Sequence, residues 1–129
     1  MTEENRRHNQ AQQWSEAREA LEEARLLLDH DKTKGAVSRA YFAALHAARA
    51  LLLSVGMEAR THTGVSHLVY QHFVEPGQLD PAIARYLRTL QTAREDADDE
   101  TAAVFTQRMA EEALQQASTY LDHVGLLLA

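Results

Sequence analysis

The sequence contains no cysteine. Disulfide bridges and thiolate zinc sites are therefore excluded. Proline and glycine are scarce, with 2 and 5 residues in a chain of 129, so few positions punctuate it. No apolar run approaches the roughly 20 residues that a membrane-spanning helix needs. The opening stretch MTEENRRHNQAQQW carries no apolar segment of the secretory type. The expectation is a cytoplasmic protein with no membrane partner. Basic residues are outnumbered, 13 against 19 acidic, for a net charge of −6. That balance argues against a protein that coats duplex nucleic acid through a basic face. Lysine is nearly absent: Lys32 and Lys34 stand beside eleven arginines. Arginine suits bidentate recognition of phosphate or carboxylate, although genome composition produces the same bias.

Several chemical signatures are also missing. There is no HExxH or EF-hand spacing, no glycine-rich phosphate loop, and no serine in a nucleophile elbow. His62, His67 and His72 are five apart, which turns successive rings to different helix faces. Neither a metal nor a cofactor is expected.

Period-two alternation is lacking over any useful length, whereas the helical period recurs throughout, so the class is all-α. Residues 1–9 are polar and read as a flexible tail, leaving 10–129 as a single helical domain. The first helix is expected over about 10–30, with Trp14, Ala17, Leu21, Ala24 and Leu28 on one stripe. The second, about 33–55, is apolar nearly all round. Such a helix is buried on more than one side, at a bundle centre or in a subunit interface as well. Its few polar residues include Arg39, His46 and Arg49, whose spacing places them on one face. Gly56 reads as the residue that closes this helix. A short third helix follows the loop MEARTHTG and stops near EPGQLDP. Asp80 is a natural cap for a fourth helix beginning at Pro81.

From Ala82 to Val124 no glycine or proline intervenes. The apolar stripe Ile83, Leu87, Leu90, Arg94, Ala97 nevertheless slips phase before Ala102, Phe105, Met109 and Ala113. A break near 98–101 accommodates the slip. It would make the acids around Asp98, Asp99 and Glu100 the cap and first turn of a fifth helix, where the dipole favours them. Arg94 is the odd residue on its stripe. A guanidinium there needs a carboxylate, a carbonyl or a wet cleft. Asp98, at i+4, is the expected partner, in a pair that would fix the corner between the helices. His46, alone among small apolar residues in AALHAARA, is the candidate acid or base. It is also readable as a packed, hydrogen-bonded core histidine.

The run SRAYFAALHAARALLLSVG, then THTGVSHLVYQHFV, then AREDADD resembles the HEPN domains, over residues 14 to about 125. More narrowly it is similar to the small stand-alone branch found beside minimal nucleotidyltransferases. The resemblance implies an up-and-down four-helix bundle with an additional short helix. It also implies a homodimer with a nucleotidyltransferase-domain protein as partner, in a toxin–antitoxin or defence-like setting, and nucleotide or RNA as ligand. Nuclease members are similar in an Arg-x4–6-His motif that cleaves RNA without a metal. Carried over, the arginine is Arg94, but the histidine positions hold Asp99, Glu100 and Thr101. The expectation is a non-enzymatic, dimeric interaction module with Arg94, Asp98, Arg39, His46 and Arg49 as ligand-binding candidates. The alternative is a divergent metal-independent ribonuclease using Arg94 with a non-standard partner such as His46. Dimerisation is also expected from the shortage of polar residues around 40–53.

Overall fold

The computed structural model describes residues 2–99 and 106–129. All regular structure among them is helical: α1 Glu3–Asp29, α2 Thr33–Leu53, α3 His62–Val69, α4 Pro81–Ala84, α5 Tyr86–Asp98 and α6 Gln107–Leu128. Four long helices, α1, α2, α5 and α6, form the bundle, with α3 and α4 as short additions. A π-helical turn, Tyr70–Val74, prolongs α3.

The helix starts follow side-chain caps. Thr2, Thr61, Asp80 and Thr106 each accept a backbone N–H of the helix they precede, satisfying a donor that lacks an intrahelical partner. Pro81 occupies the first turn of α4, as expected. Gly56 adopts φ +76° just after α2, the left-handed geometry that closes a helix.

Helix α2 is the centre. It packs against α1, α3, α5 and α6. Ala36, Ala40, Ala43, Ala44, Ala47 and Ala48 are fully buried, and their small side chains let neighbouring helices come close. Leu51, Leu52 and Leu53 are buried in the same chain. The apolar character of residues 40–53 is therefore met within one protomer. It supplies no reason for a subunit interface, contrary to the sequence-based argument for a dimer.

The expected fourth helix is interrupted at Arg85 into α4 and α5, and two further boundaries differ from expectation. Helix α1 begins at Glu3 rather than near residue 10. Thr2 caps it, Glu3 and Glu4 lie in its first turn, and Arg6 donates to the Leu53 carbonyl at 2.9 Å. That bond ties the start of α1 to the end of α2. The second difference concerns the acidic run. The chain does break after Asp98, but α6 starts only at Gln107, capped by Thr106. Glu95, Asp96 and Asp98 thus lie in the closing turns of α5, where the dipole disfavours them. They do not form the first turn of the next helix. Glu100, Thr101, Ala102 and Phe105 lie outside the described residues.

Candidate functional site

Helix α2 is closed to solvent almost everywhere, and its middle and C-terminal portion has one partly exposed stripe. Arg39, Phe42, His46 and Arg49 are half-buried while their neighbours Ala40, Tyr41, Ala43, Ala44, Leu45, Ala47 and Ala48 are buried. The spacings of three, four and three follow one helix face. The stripe runs beside α1 and α5, and both supply polar side chains to it.

Arg94 and Arg39 meet at Phe42. The Arg94 guanidinium carbon lies 4.8 Å from the Phe42 ring centre and 5.6 Å from that of Tyr41. The Arg39 guanidinium carbon lies 5.7 Å from the same Phe42 ring. These distances suit attraction between a cation and the ring quadrupole. Each arginine also has a carboxylate nearby. Arg39 donates to Glu23 Oε1 at 3.0 Å. The Arg94 Nε to Asp98 Oδ2 separation is 3.9 Å, too long for a hydrogen bond. The expected Arg94–Asp98 pair exists as a loose ion pair, with the Asp98 side chain 59% exposed. It is a weak brace for the corner. The Nε atoms of Arg39 and Arg94 are both buried and find no hydrogen-bond partner among the described residues. The site thus joins two positive charges, an aromatic platform and two unfilled donors.

Beneath Arg94 lies a pair that the sequence reading did not single out. The buried Tyr41 hydroxyl is 2.6 Å from His62 Nδ1, and the two rings meet edge-on with centroids 5.5 Å apart. Burial raises the Tyr41 pKa, against the opposing pull of Arg94 and Arg49 and with a smaller upward push from Glu95. The phenol stays protonated and is placed to donate to His62 Nδ1. Thr61 fixes the position of His62 by capping α3, accepting the Gly64 N–H at 2.9 Å. A Cβ on Gly64 would lie 2.9 Å from the Thr61 Oγ1, so the tight cap requires a glycine there.

His46 faces α1. Its Nδ1 is 2.7 Å from Gln13 Oε1 and 3.4 Å from Glu16 Oε2. Burial lowers its pKa; Glu16 opposes that shift, and Arg49 and Arg39 add to it. His46 is thus a hydrogen-bonded, mostly neutral residue held by α1. Arg49 continues the stripe into a shallow cleft of about 250 Å³ shared with Gln13, Leu52 and Met57. The structure therefore brings Arg39 and Arg94 together, sets Asp98 loosely beside them, and directs His46 and Arg49 toward α1. Phe42, Tyr41, Glu23 and His62 were missed as site residues. The run AYF and the motif THTG were available as signals, since they flank the arginine positions in the fold.

Among the described residues no group of three His, Asp or Glu side chains is arranged to hold a metal ion. No helix among them is long and apolar enough to cross a membrane.

The HEPN domain profile matches residues 11–126. The chain belongs to the HEPN domain family. Relatives share this breadth to different degrees. A UPF0332 protein of Thermotoga maritima is 28% identical over 87% of this chain and 85% of its own length. A protein of Methanocaldococcus jannaschii named as a candidate toxin is 31% identical, over 84% of this chain and 80% of its own. A UPF0332 protein of Pyrococcus horikoshii is 44% identical over 69 residues, which span only 49% of its length. Positions 99–101 hold Asp99, Glu100 and Thr101, and His62 of α3 meets the Arg94 cluster through its contact with Tyr41.

Proposed function

We propose that this HEPN protein is a toxin-like interaction module that holds a phosphate-bearing ligand, nucleotide or RNA, at Arg39, Arg94 and Phe42. One observation carries the reading: two guanidiniums from different helices converge on one ring, each with a buried Nε that makes no hydrogen bond among the described residues. A phosphate binds the partly exposed guanidiniums of Arg39 and Arg94 with charge-assisted bonds, and Phe42 offers a base a surface for stacking. The toxin-like setting is supported by the name of the Methanocaldococcus relative. A nucleotidyltransferase partner and self-association rest on family likeness alone.

The test is titration of ATP and of a short single-stranded RNA into the protein, with Arg39→Gln and Arg94→Gln beside it. Saturable binding that falls about tenfold in each variant is expected. Binding indifferent to both substitutions removes the reading. Light scattering of the same samples reports whether the protein self-associates.

The Tyr41–His62 pair favours a second reading, cleavage of RNA. An imidazole is the side chain best suited to proton transfer near neutral pH, and His62 reaches the Arg94 cluster through Tyr41. Metal-independent cleavage in EDTA that is lost in both His62→Ala and Arg94→Ala would install this reading. His46→Ala tests the other imidazole in the same assay.

A further inference from the structure

A second cavity lies at the opposite end of α5. It measures about 430 Å³ and is bounded by α3, α4, the first turn of α5, and Tyr120 of α6. Leu87, on its wall, precedes Arg94 by seven residues, about 10 Å along a helix, so this cavity is separate from the Phe42 site. Its size falls within the range typical of small-molecule sites.

Four features of the cavity lack a structural role. Tyr120 is fully buried, yet its hydroxyl has no hydrogen-bond partner among the described residues. An unpaired buried hydroxyl is costly to the fold. Burial raises its pKa, so it is present as a donor. Arg85 and Arg88 are exposed at the rim, and neither forms an ion pair among the described residues. Tyr70 stands 52% exposed on the wall. Tyr70 also opens the π-helical turn, where the Glu75 N–H reaches the Tyr70 carbonyl. Such turns are inserted against the regular helix and recur at functional sites. Val69, Pro81, Ala84 and Leu87 give the wall its apolar part, and Ser66 and His67 of α3 also line it.

We propose that this cavity binds a small organic anion. An apolar or aromatic body would lie against Val69, Leu87 and Tyr70, with a hydrogen-bond acceptor inward at Tyr120 and a carboxylate or phosphate outward at Arg85 and Arg88. The polarity runs one way. The inner end meets a single neutral donor, which suits an uncharged acceptor. The outer end meets two guanidiniums in contact with water, which suits an oxyanion. The Tyr120 hydroxyl has almost no solvent-accessible area, so the ligand reaches it by displacing the cavity wall that covers it.

The experiment is an amide NMR titration of the full chain with three probes. They are 4-hydroxybenzoate, 4-hydroxyphenyl phosphate and the neutral 4-hydroxybenzyl alcohol. Saturable shifts at residues 66–70 and 84–88 are expected for the two anions, and much weaker ones for the alcohol. The tighter anion tells whether carboxylate or phosphate is preferred. Arg85→Gln or Arg88→Gln should weaken anion binding about tenfold without lowering Tm. Tyr120→Phe should weaken it about fivefold while Tm holds or rises, which separates lost binding from lost folding. Absence of saturable shifts, equal binding of the alcohol, or insensitivity to all three substitutions would overturn the proposal. Because the Phe42 site lies apart, such a failure leaves the Arg39–Arg94 reading standing on its own test.

Discussion

The Arg94 guanidinium carbon sits 4.8 Å from the Phe42 ring centre, the shortest cation–ring distance among the described residues. The arginine on the buried stripe of α5 is thus anchored mainly by an aromatic face and only loosely by Asp98. The two anchors differ in energy. A cation over a ring at a partly exposed site contributes about 0.5–1 kcal/mol. A surface ion pair at this distance contributes less once solvent screens it. In a double-mutant cycle, Arg94→Ala with Asp98→Ala should show coupling below about 0.5 kcal/mol. Arg94→Ala with Phe42→Leu should show more. Urea denaturation of the six proteins decides it, and larger coupling to Asp98 than to Phe42 refutes the ranking.

The Tyr41–His62 bond predicts an asymmetry. Tyr41→Phe removes the donor and leaves a half-buried imidazole that water can still reach, costing about 0.5–1.5 kcal/mol. His62→Ala instead strands the buried Tyr41 hydroxyl, which costs about 1–3 kcal/mol. The histidine variant should therefore melt lower than the tyrosine variant, although it removes a more exposed side chain. Thermal unfolding at pH 7.5 reads the order directly.

Much of the fold was legible because its signals are local. The helical period, the Asp80–Pro81 start and the Gly56 stop each depend on a few neighbouring residues, and each holds. The face shared by Arg39, His46 and Arg49 was legible for the same reason. What meets that face was not legible, since Glu23, Gln13 and Arg94 arrive from other helices. Periodicity says which residues share a side of a helix and nothing about which side chains oppose them. The start of α1 was missed because residues 3–9 carry no apolar stripe; a threonine cap, two early acids and a long-range Arg6 bond hold them instead. The acidic run was misplaced because capping logic fits either end of the break. The dipole would favour the later helix, but α6 starts eight residues beyond Asp99.

His46 predicts a pH dependence. Its folded pKa is lowered, first by burial, below the ordinary value of 6.5. Protonation therefore favours the unfolded chain. The stability associated with the neutral ring is complete above about pH 6.5 and is lost as the pH falls through that value. His46→Gln removes the titration. Between pH 7.5 and 5.5 the wild type should lose more stability than the variant, measured by urea midpoints. Equal losses would mean that Glu16, which pulls the other way, cancels the burial.

The acids at the end of α5 supply the last prediction. Glu95, Asp96 and Asp98 stand where unpaired carbonyls already concentrate negative charge. Asp96 is exposed, and its backbone carbonyl, not its side chain, receives the Asp99 N–H. Replacing its carboxylate leaves that bond intact. Asp96→Lys turns an unfavourable dipole interaction into a favourable one. The variant should be more stable by about 0.3–1 kcal/mol, with the gain shrinking in 0.5 M salt, because exposed charges are screened. Asp98→Asn relieves the same dipole but forfeits the Arg94 contact, so its gain should be smaller. If Asp96→Lys destabilises instead, the side chain makes a contact that outweighs the dipole. The acids would then be held at this helix end by the fold itself, and their position would need no appeal to the arginine site beside them.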